Sequence, residues 1–363
     1  VLQVATGEVL ALASLPAFDP AAFSSGLSQE AWQGLLTDPR SPLVDKAIGG
    51  QYPPGSTFKM VVALAALEAN LIGPDYEVYC PGFTKLGRHT FHCWKRWGHG
   101  RLRLVDALAQ SCDVYFYDLA RQLGVDAIAA MARRFGLGAP LGIDLPGERA
   151  GLVPDRAWKM ATRGVPWQKG ETLVVGIGQG YMQATPLQLA VMAARIANGG
   201  FAVLPRLARG APGGDAAGKE GPVPQIDISE RSLRVVREGM YAVINGPHGT
   251  ARQARLARSD VAMAGKTGTS QVQRISRVER ATGVRKNDEK PWEERDHALF
   301  VAFAPYASPR YAVAVVVEHG GSGSQAAAPI GRDIIEKALD LEVTRPNPAL
   351  SAEVPPAAPA RGA

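Results

Sequence analysis

Between Phe58 and Leu67 apolar side chains come too densely for a surface helix. Phe58, Met60, Val61, Val62, Leu64, Ala65 and Leu67 leave no polar face wide enough to meet water. That density predicts a buried helix, closed near Leu71 and Gly73. Pro53-Pro54-Gly55 stands before it and cannot continue the helix backwards. Looser helical spacing predicts short helices near 30–36 and over 104–110. It also predicts helices over 114–123 and 126–135, each ended by a glycine, and over 187–197, 229–245 and 329–341. Thr185-Pro186 puts a proline in the first turn of the 187–197 helix, where its missing N–H has no partner to lose.

Strand-like runs lie at the two ends of the chain. Residues 1–5 and 8–14 flank Thr6-Gly7, 261–272 forms one strand, and 298–304 and 311–318 form a hairpin across Pro305–Pro309. The expected fold is α+β: an antiparallel five-stranded sheet closed by both termini, covered by helices, with a mainly helical second lobe. Residues 17–50, 74–103 and 137–170 show no sustained period. Residues 206–226 are Gly/Ala/Pro-rich and read as a surface excursion. Residues 274–295 form a charged insertion and 346–363 a Pro/Ala-rich tail; both are expected to be mobile or disordered, leaving one domain over 1–345.

Composition narrows the classes. Hydrophobic residues make up 46% of 363, enough for a large core, and the net charge of +6 points only weakly to an anionic partner. No Lys/Arg cluster is read as alternating with aromatics in the manner of a nucleic-acid groove, so no nucleic acid is expected as a partner. No apolar stretch reaches the length of a membrane span. The chain opens inside a strand-like run, which predicts a preceding segment holding a signal or membrane anchor.

Three stretches carry candidate chemistry. Ser56 starts the buried helix and Lys59 lies three residues on, so the two share a face. A serine hydroxyl is a poor nucleophile until a base takes its proton, and a desolvated lysine can be that base. A capping serine and a solvated lysine would look the same. Ser111-Cys112-Asp113 interrupts a helix between apolar segments, as a simple cap also would. Lys266-Thr267-Gly268-Thr269 lies on a strand whose threonines and lysine suit a carboxylate and whose glycines admit a second backbone. An edge strand made soluble by lysine is the ordinary alternative. Val174–Gly180 is glycine-rich, but lacks the Lys-Ser/Thr of a phosphate loop and reads as a tight backbone approach.

Taken together, in this order and roughly fifty and one hundred fifty residues apart, the three stretches resemble the Ser-x-x-Lys, Ser-x-Asn and Lys-Thr-Gly set of penicillin-binding proteins and serine β-lactamases. The resemblance covers nearly the whole chain. Thr6–Ala11, Gly178–Gly180, Ala184–Gln188, Asn245–Ala251, Phe303–Tyr306 and Glu318–Gly321 all look like class B penicillin-binding proteins. Asp113 in place of the usual Asn, and Trp97–Leu102 before it, resemble the elongation-specific penicillin-binding protein 2 group more than the division-specific one. No loop matches the hydrolytic Glu of class A β-lactamases.

The resemblance implies a D,D-transpeptidase acting on peptidoglycan stem peptides and trapped by β-lactams. Ser56 would be the nucleophile, Lys59 its base and Ser111 a proton relay. Lys266 would supply favourable charge, and Thr267, Gly268 and Thr269 would bind the substrate carboxylate. The N–H groups of Ser56 and Thr269 would form the oxyanion hole. Asp113 is a difficulty, because a carboxylate beside Lys59 favours the ammonium form that a base must leave. The resemblance also implies the periplasmic face of a bacterial inner membrane, a RodA-type glycosyltransferase partner and an MreC-type regulator. The rival reading is an inactive β-lactam- or peptidoglycan-binding sensor.

All three cysteines lie in one segment. Cys80, Cys93, His99 and Cys112 are separated by twelve, five and twelve residues, and three thiolates with one imidazole make a closed structural zinc set. A Cys80–Cys93 disulfide with a buried Cys112 thiol is the alternative for a periplasmic protein.

Overall fold

The computed structural model describes residues 1–207, 223–273, 279 and 283–343. From the N-terminus come β1 (Leu2–Gln3), α1 (Pro20–Ser25), α2 (Gln29–Thr37), α3 (Lys46–Gly49) and α4 (Lys59–Glu68). Four short strands follow: β2 (Val78–Cys80), β3 (Phe83–Leu86), β4 (His89–His92) and β5 (Gly100–Leu102). Then come α5 (Leu104–Ala109), α6 (Asp113–Leu123), α7 (Val125–Arg134), α8 (Arg156–Arg163), α9 (Lys169–Val175), α10 (Pro186–Ala197) and α11 (Glu230–Asn245). The chain closes with β6 (Ala264–Ser270), β7 (His297–Ala304), β8 (Tyr311–Val317) and α12 (Ala328–Val343).

Four of these strands form the main antiparallel sheet, in the order β1-β8-β7-β6, so both ends of the chain contribute to it as the sequence predicts. Its class is α+β, but it has four strands rather than five. The run 8–14 makes only isolated bridges, Leu2 to Val9 and Glu8 to Arg206. Val9 donates to Arg206 O, Leu10 to Val1 O, and Leu10 and Ala11 are exposed, so no second ladder forms there. Strand β7 is buried on both sides. Leu299, Val301 and Phe303 face the helical lobe containing α4, while Ala298, Phe300, Ala302 and Ala304 face the cluster with Ile335 and Leu339 of α12. A strand covered on both faces shows a continuous apolar run instead of alternation.

Two of the segments without a sequence period are nonetheless ordered. Within 74–103, β2 pairs with β5 and β3 with β4 as two small antiparallel ribbons. Strands of three or four residues are too short to show alternation. In 137–170, α8 is missed because its single buried residue is Lys159, ion-paired at 2.6 Å to Glu171 of α9. A polar clasp holds that helix, so there is no apolar stripe to read. Most of 206–226, the first part of 274–295 and all of 346–363 lie outside the described residues. Of the insertion, 287–294 forms two 3-10 turns, with Trp292 against His319 at 4.3 Å between ring centres.

Candidate active site

Ser56 lies in a single 3-10 turn, Gly55–Phe58, that feeds directly into α4. Gly55 has φ +53, and a Cβ on it would sit 2.5 Å from Thr269 O and 3.2 Å from Thr269 N. Gly178 lies on its other side. Gly55 N–H donates to Gly178 O at 2.9 Å, and a Cβ on Gly178 would run into Gly55 O. The glycine-rich run 176–180 is thus the close backbone approach expected of it, pressed against the serine's turn. Gly268 has a related role: a Cβ there would lie 2.9 Å from Thr57 Cγ2 and 3.1 Å from Pro54 O. Its vacant side lets the Ser56 turn settle on β6. The segment leading into this turn is tied to the end of β8 through Glu318, which accepts from Tyr52 Oη at 2.8 Å and from Lys46 Nζ at 2.6 Å.

Behind Ser56 lies a buried polar centre. Lys59 Nζ donates to Asp113 Oδ1 at 2.7 Å, to Ser111 O at 2.9 Å and to Ser111 Oγ at 3.3 Å. Lys266 Nζ reaches the same Ser111 Oγ at 2.9 Å and Thr267 O at 3.1 Å. Both lysines are fully buried. Ser111 holds this bridging place with φ +55, a left-handed conformation that costs a non-glycine residue on the order of 1 kcal/mol or more and is typical of functional sites. The interruption between α5 and α6 is therefore the device that aims Ser111 between two amines.

Burial, together with the positive charge on Lys59, pushes Lys266 well below the ordinary lysine range. Burial also raises Asp113, and Lys59's charge and hydrogen bond pull it back. Four of the sequence-predicted residues thus belong to one constellation, in which Ser111 Oγ links Lys59 to Lys266 and Asp113 holds Lys59; Ser56 lies three residues before Lys59, on the turn that feeds α4. Thr267 Oγ1 meets Thr250 Oγ1 at 3.0 Å, and Thr269 O accepts from Gln179 Nε2 at 2.8 Å. Gly268 lies on the same edge but packs against the Ser56 turn, so its contacts are internal.

Cys80, Cys93, His99 and Cys112 also converge, with one potential ligand atom from each all within 4.8 Å of one another. The three thiols are unbridged. His99 Nδ1 lies 3.6 Å from Cys80 Sγ and 3.5 Å from Cys93 Sγ. Hydrogen bonds from the Cys112 and Cys93 thiols pull Cys80 down to about 3, and those shared with Cys80 and Cys93 push Cys112 up. The cluster abuts the loop between α5 and α6: Cys112 lies between Ser111 and Asp113, and Asp113 N–H points at Cys93 Sγ, 3.4 Å away.

Sequence reasoning missed Trp94. Its backbone N–H donates to Asp113 Oδ2 at 2.8 Å and its indole N–H to Ser111 O at 3.0 Å. The letters did hold a signal: Trp94-Lys95-Arg96-Trp97 is a basic run interleaved with aromatics, of the kind judged absent above, and all four residues are exposed. Gln179 and Thr250 fell within stretches noted for resemblance, but nothing local marked either as a partner of the β6 edge.

Comparison with known proteins bears on this constellation. The model of the penicillin binding protein transpeptidase domain matches residues 1–336. Peptidoglycan D,D-transpeptidase MrdA of Escherichia coli K12 is 38% identical over 360 residues, covering 96% of this chain and 55% of that protein. The chain therefore spans about half the length of the curated relatives it matches. The crystal structure of Pseudomonas aeruginosa PBP2 in complex with WCK 5153 superposes with a TM-score of 0.82 at 41% identity, over 97% of this chain and 73% of that one. PBP2 of Helicobacter pylori, solved in complex with MreC, gives 0.83 at 33% identity, over 94% and 59%. With the Ser56 turn, the two lysines and the β6 edge in place, and a family model matching nearly the whole described chain, this chain belongs to the penicillin-binding protein transpeptidase domain family.

Proposed function

We propose that the chain is the catalytic domain of a peptidoglycan D,D-transpeptidase of the elongation type, which crosslinks stem peptides through an acyl-enzyme on Ser56. The observation that carries this reading is Ser111 Oγ held between the buried amines of Lys59 and Lys266, beside the turn that presents Ser56. Ser56 Oγ attacks the penultimate D-Ala carbonyl and gives its proton to Lys59. Paired with Asp113, Lys59 takes that proton as it hands one to Ser111, and Ser111 hands its own to Lys266, the amine that burial keeps ready to accept. The relay then runs back towards the leaving nitrogen: Ser111 protonates the departing D-Ala amine and is reprotonated by Lys266. The backbone N–H groups of Ser56 and Thr269 would take the oxyanion, and Thr267 and Thr269 would hold the substrate carboxylate. A second stem's amine completes the transfer. Labelled penicillin tests the nucleophile and a thioester stem mimic tests turnover. Acylation without turnover would favour the inactive sensor instead.

The Cys/His cluster fits structural zinc. In a tetrahedron with Zn–S near 2.3 Å and Zn–N near 2.05 Å, sulfur and nitrogen stand about 3.6 Å apart, as the two S···N distances here do. Three thiols this close cannot all ionise without a cation among them. Cys80, Cys93, Cys112 and His99 would hold the metal, which would supply no step of the reaction. It would tether the loop carrying Ser111 and Asp113 to the ribbons. The reading also includes a periplasmic location at the inner membrane, anchored by a segment outside this chain. A RodA-type glycosyltransferase and MreC are its proposed partners, the latter supported by the Helicobacter pylori PBP2 structure solved with MreC. No helix among the described residues is long and apolar enough to cross a membrane.

A further inference from the structure

We propose that the ribbon segment 79–103 is a second substrate-binding surface, on which the peptidoglycan strand lies while one of its stem peptides enters the cleft. This rests on the reading above that the substrate is peptidoglycan. Lys85, Arg88, Lys95, Arg96, Arg101 and Arg103 give the segment six cations, and it has no acidic residue; the whole chain, with 40 cations against 34 anions, is only +6. The rest of the chain is therefore neutral, and the excess charge sits on this one segment. Among the described residues only Arg103 of the six meets carboxylates, Asp75 at 2.9 Å and Glu77 at 3.2 Å.

Aromatic rings accompany the charge. On the β2–β5 ribbon Tyr79 stands opposite Arg101, both exposed, with Cys80 and Leu102 turned to the inside. On the β3–β4 ribbon Phe83 and Lys85 share the outer face, while Phe91 packs inward on Tyr117. The loop between the ribbons exposes Trp94 by 61% and Trp97 by 84%, with the Arg96 guanidinium 5.2 Å from the Trp97 ring. A Cβ on Gly82 would strike Arg96 O and one on Gly98 would strike Cys80 O, so the loop lies against the junction of the two ribbons. Large exposed aromatics among unpaired cations form a binding surface. Flat C–H faces of sugar rings suit the indoles and the phenol, and stem carboxylates suit the guanidinium groups.

Continuity with the catalytic centre selects this occupant. Trp94 reaches Ser111 O and Asp113 Oδ2 through its own N–H groups, so the loop that would carry the polymer is fastened to the segment holding Ser111. A lipid headgroup or a nucleic acid shares the charge but has no reason to be led to Ser111.

The experiment uses the full chain and three probes: purified insoluble peptidoglycan sacculi, phosphatidylglycerol vesicles and duplex DNA. Co-sedimentation with sacculi should be strong at low salt and weaken as salt rises. R96E/R101E should lower the bound fraction by about tenfold and W97A by about threefold. R101A, on the outer face of a ribbon, repeats the measurement with the least risk to folding. Sacculi binding unaltered in R96E/R101E and R101A, or vesicles or DNA bound more tightly than sacculi, overturns the proposal. Penicillin labelling of the unaltered chain is scored separately. Its failure would sink the Ser56 reading, whereas an unaltered chain that takes the label but does not bind sacculi sinks only this one.

Discussion

Helix α4 and strand β7 are enclosed almost completely: residues 59–66 and 298–304 are all buried. From 78 to 102, by contrast, only Cys80, Gly82, Cys93, Gly98 and Leu102 are. The first region is held by apolar burial, each large side chain contributing about 1.5–3 kcal/mol. The second has almost no apolar core and is held by two short ladders and a cluster of three sulfurs and an imidazole. These two kinds of construction meet around the Ser111–Asp113 segment. The enclosed interior holds Lys59 and Lys266, while the ribbons touch that segment through Trp94 and Cys93. The ribbon segment leaves Tyr79, Trp97, Lys95, Arg96 and Arg101 exposed, while Phe91 packs on Tyr117 and Arg103 pairs with Asp75 and Glu77.

The largest expected effects fall on the enclosed side and separate chemistry from stability. Ser56→Ala should abolish covalent attachment of labelled penicillin with little change in Tm, since Ser56 is only half-buried. Full labelling of that variant would end the assignment. Lys59→Ala should also abolish acylation, but the fold should not pass untouched. It leaves Asp113 buried without its ion pair, which costs about 3–5 kcal/mol. A Tm for Lys59→Ala equal to that of the unaltered protein would show that the pair is not formed in solution.

Breaking the other side should act through the cluster. Elemental analysis of protein purified without chelators should find close to one zinc per chain. Removing it should lower Tm by on the order of 5–10 °C, the scale of a ligand held well above its Kd, and should slow acylation as Ser111 loosens. Less than about a tenth of an equivalent of zinc, together with a Cys80–Cys93 bridge by mass spectrometry, would refute the site.

The same contrast explains what could be read from the letters. α4, α10, α11 and the β7–β8 hairpin were legible because burial on one or both faces writes a period or an unbroken apolar run. Ser56, Lys59, Ser111, Asp113 and Lys266 were legible as motifs, and the four metal-type ligands as a set of chemistries. The ribbons and α8 were not, since Lys159–Glu171 and the sulfur cluster hold them by polar contacts that leave no periodic trace. Trp94 stood in a readable basic and aromatic run, but its partners, a backbone carbonyl and a distant carboxylate, are encoded by no local pattern. The glycines were ambiguous until their neighbours were known. Gly268 admits the Ser56 turn where the sequence suggested a substrate.

Proton titration sharpens the comparison with smaller effects. The relay needs an uncharged Lys266, so acylation should be lost as pH falls through that residue's depressed folded-state pKa and should rise with pH above it. A pH–rate profile flat across the range from 5 to about 10.5 would remove Lys266 from the relay. His297, near the Glu318 tether, is lowered to about 4 by burial and by the charge of His319. Unfolded, it takes its proton near 6.5, so below that pH the unfolded state binds more protons and stability falls. After discounting for its partial exposure, the loss between pH 6.5 and 4 should be about 1–2 kcal/mol, and His297→Gln should reduce it.

The smallest effect tests whether the two regions are joined mechanically as well as by sequence. Tyr52 lies four residues before Ser56, and its hydroxyl donates to Glu318 at the end of the sheet, 2.8 Å away. Burial and the Glu318 charge both raise the phenol, so it stays protonated and remains a donor at any working pH. Tyr52→Phe removes one hydrogen bond to a carboxylate that keeps its Lys46 partner, so the stability cost should be only about 1 kcal/mol. If the tether sets the height of the Ser56 turn against Thr269, the acylation step should slow by several-fold, while the affinity of the preceding non-covalent complex holds. Chelation should act differently, since it loosens Ser111 without touching the turn. Combining Tyr52→Phe with zinc removal should therefore give additive losses in the logarithm of the acylation rate, as independent sites do. A combined loss equal to the larger single one would mean that Ser56 and Ser111 are positioned as one unit.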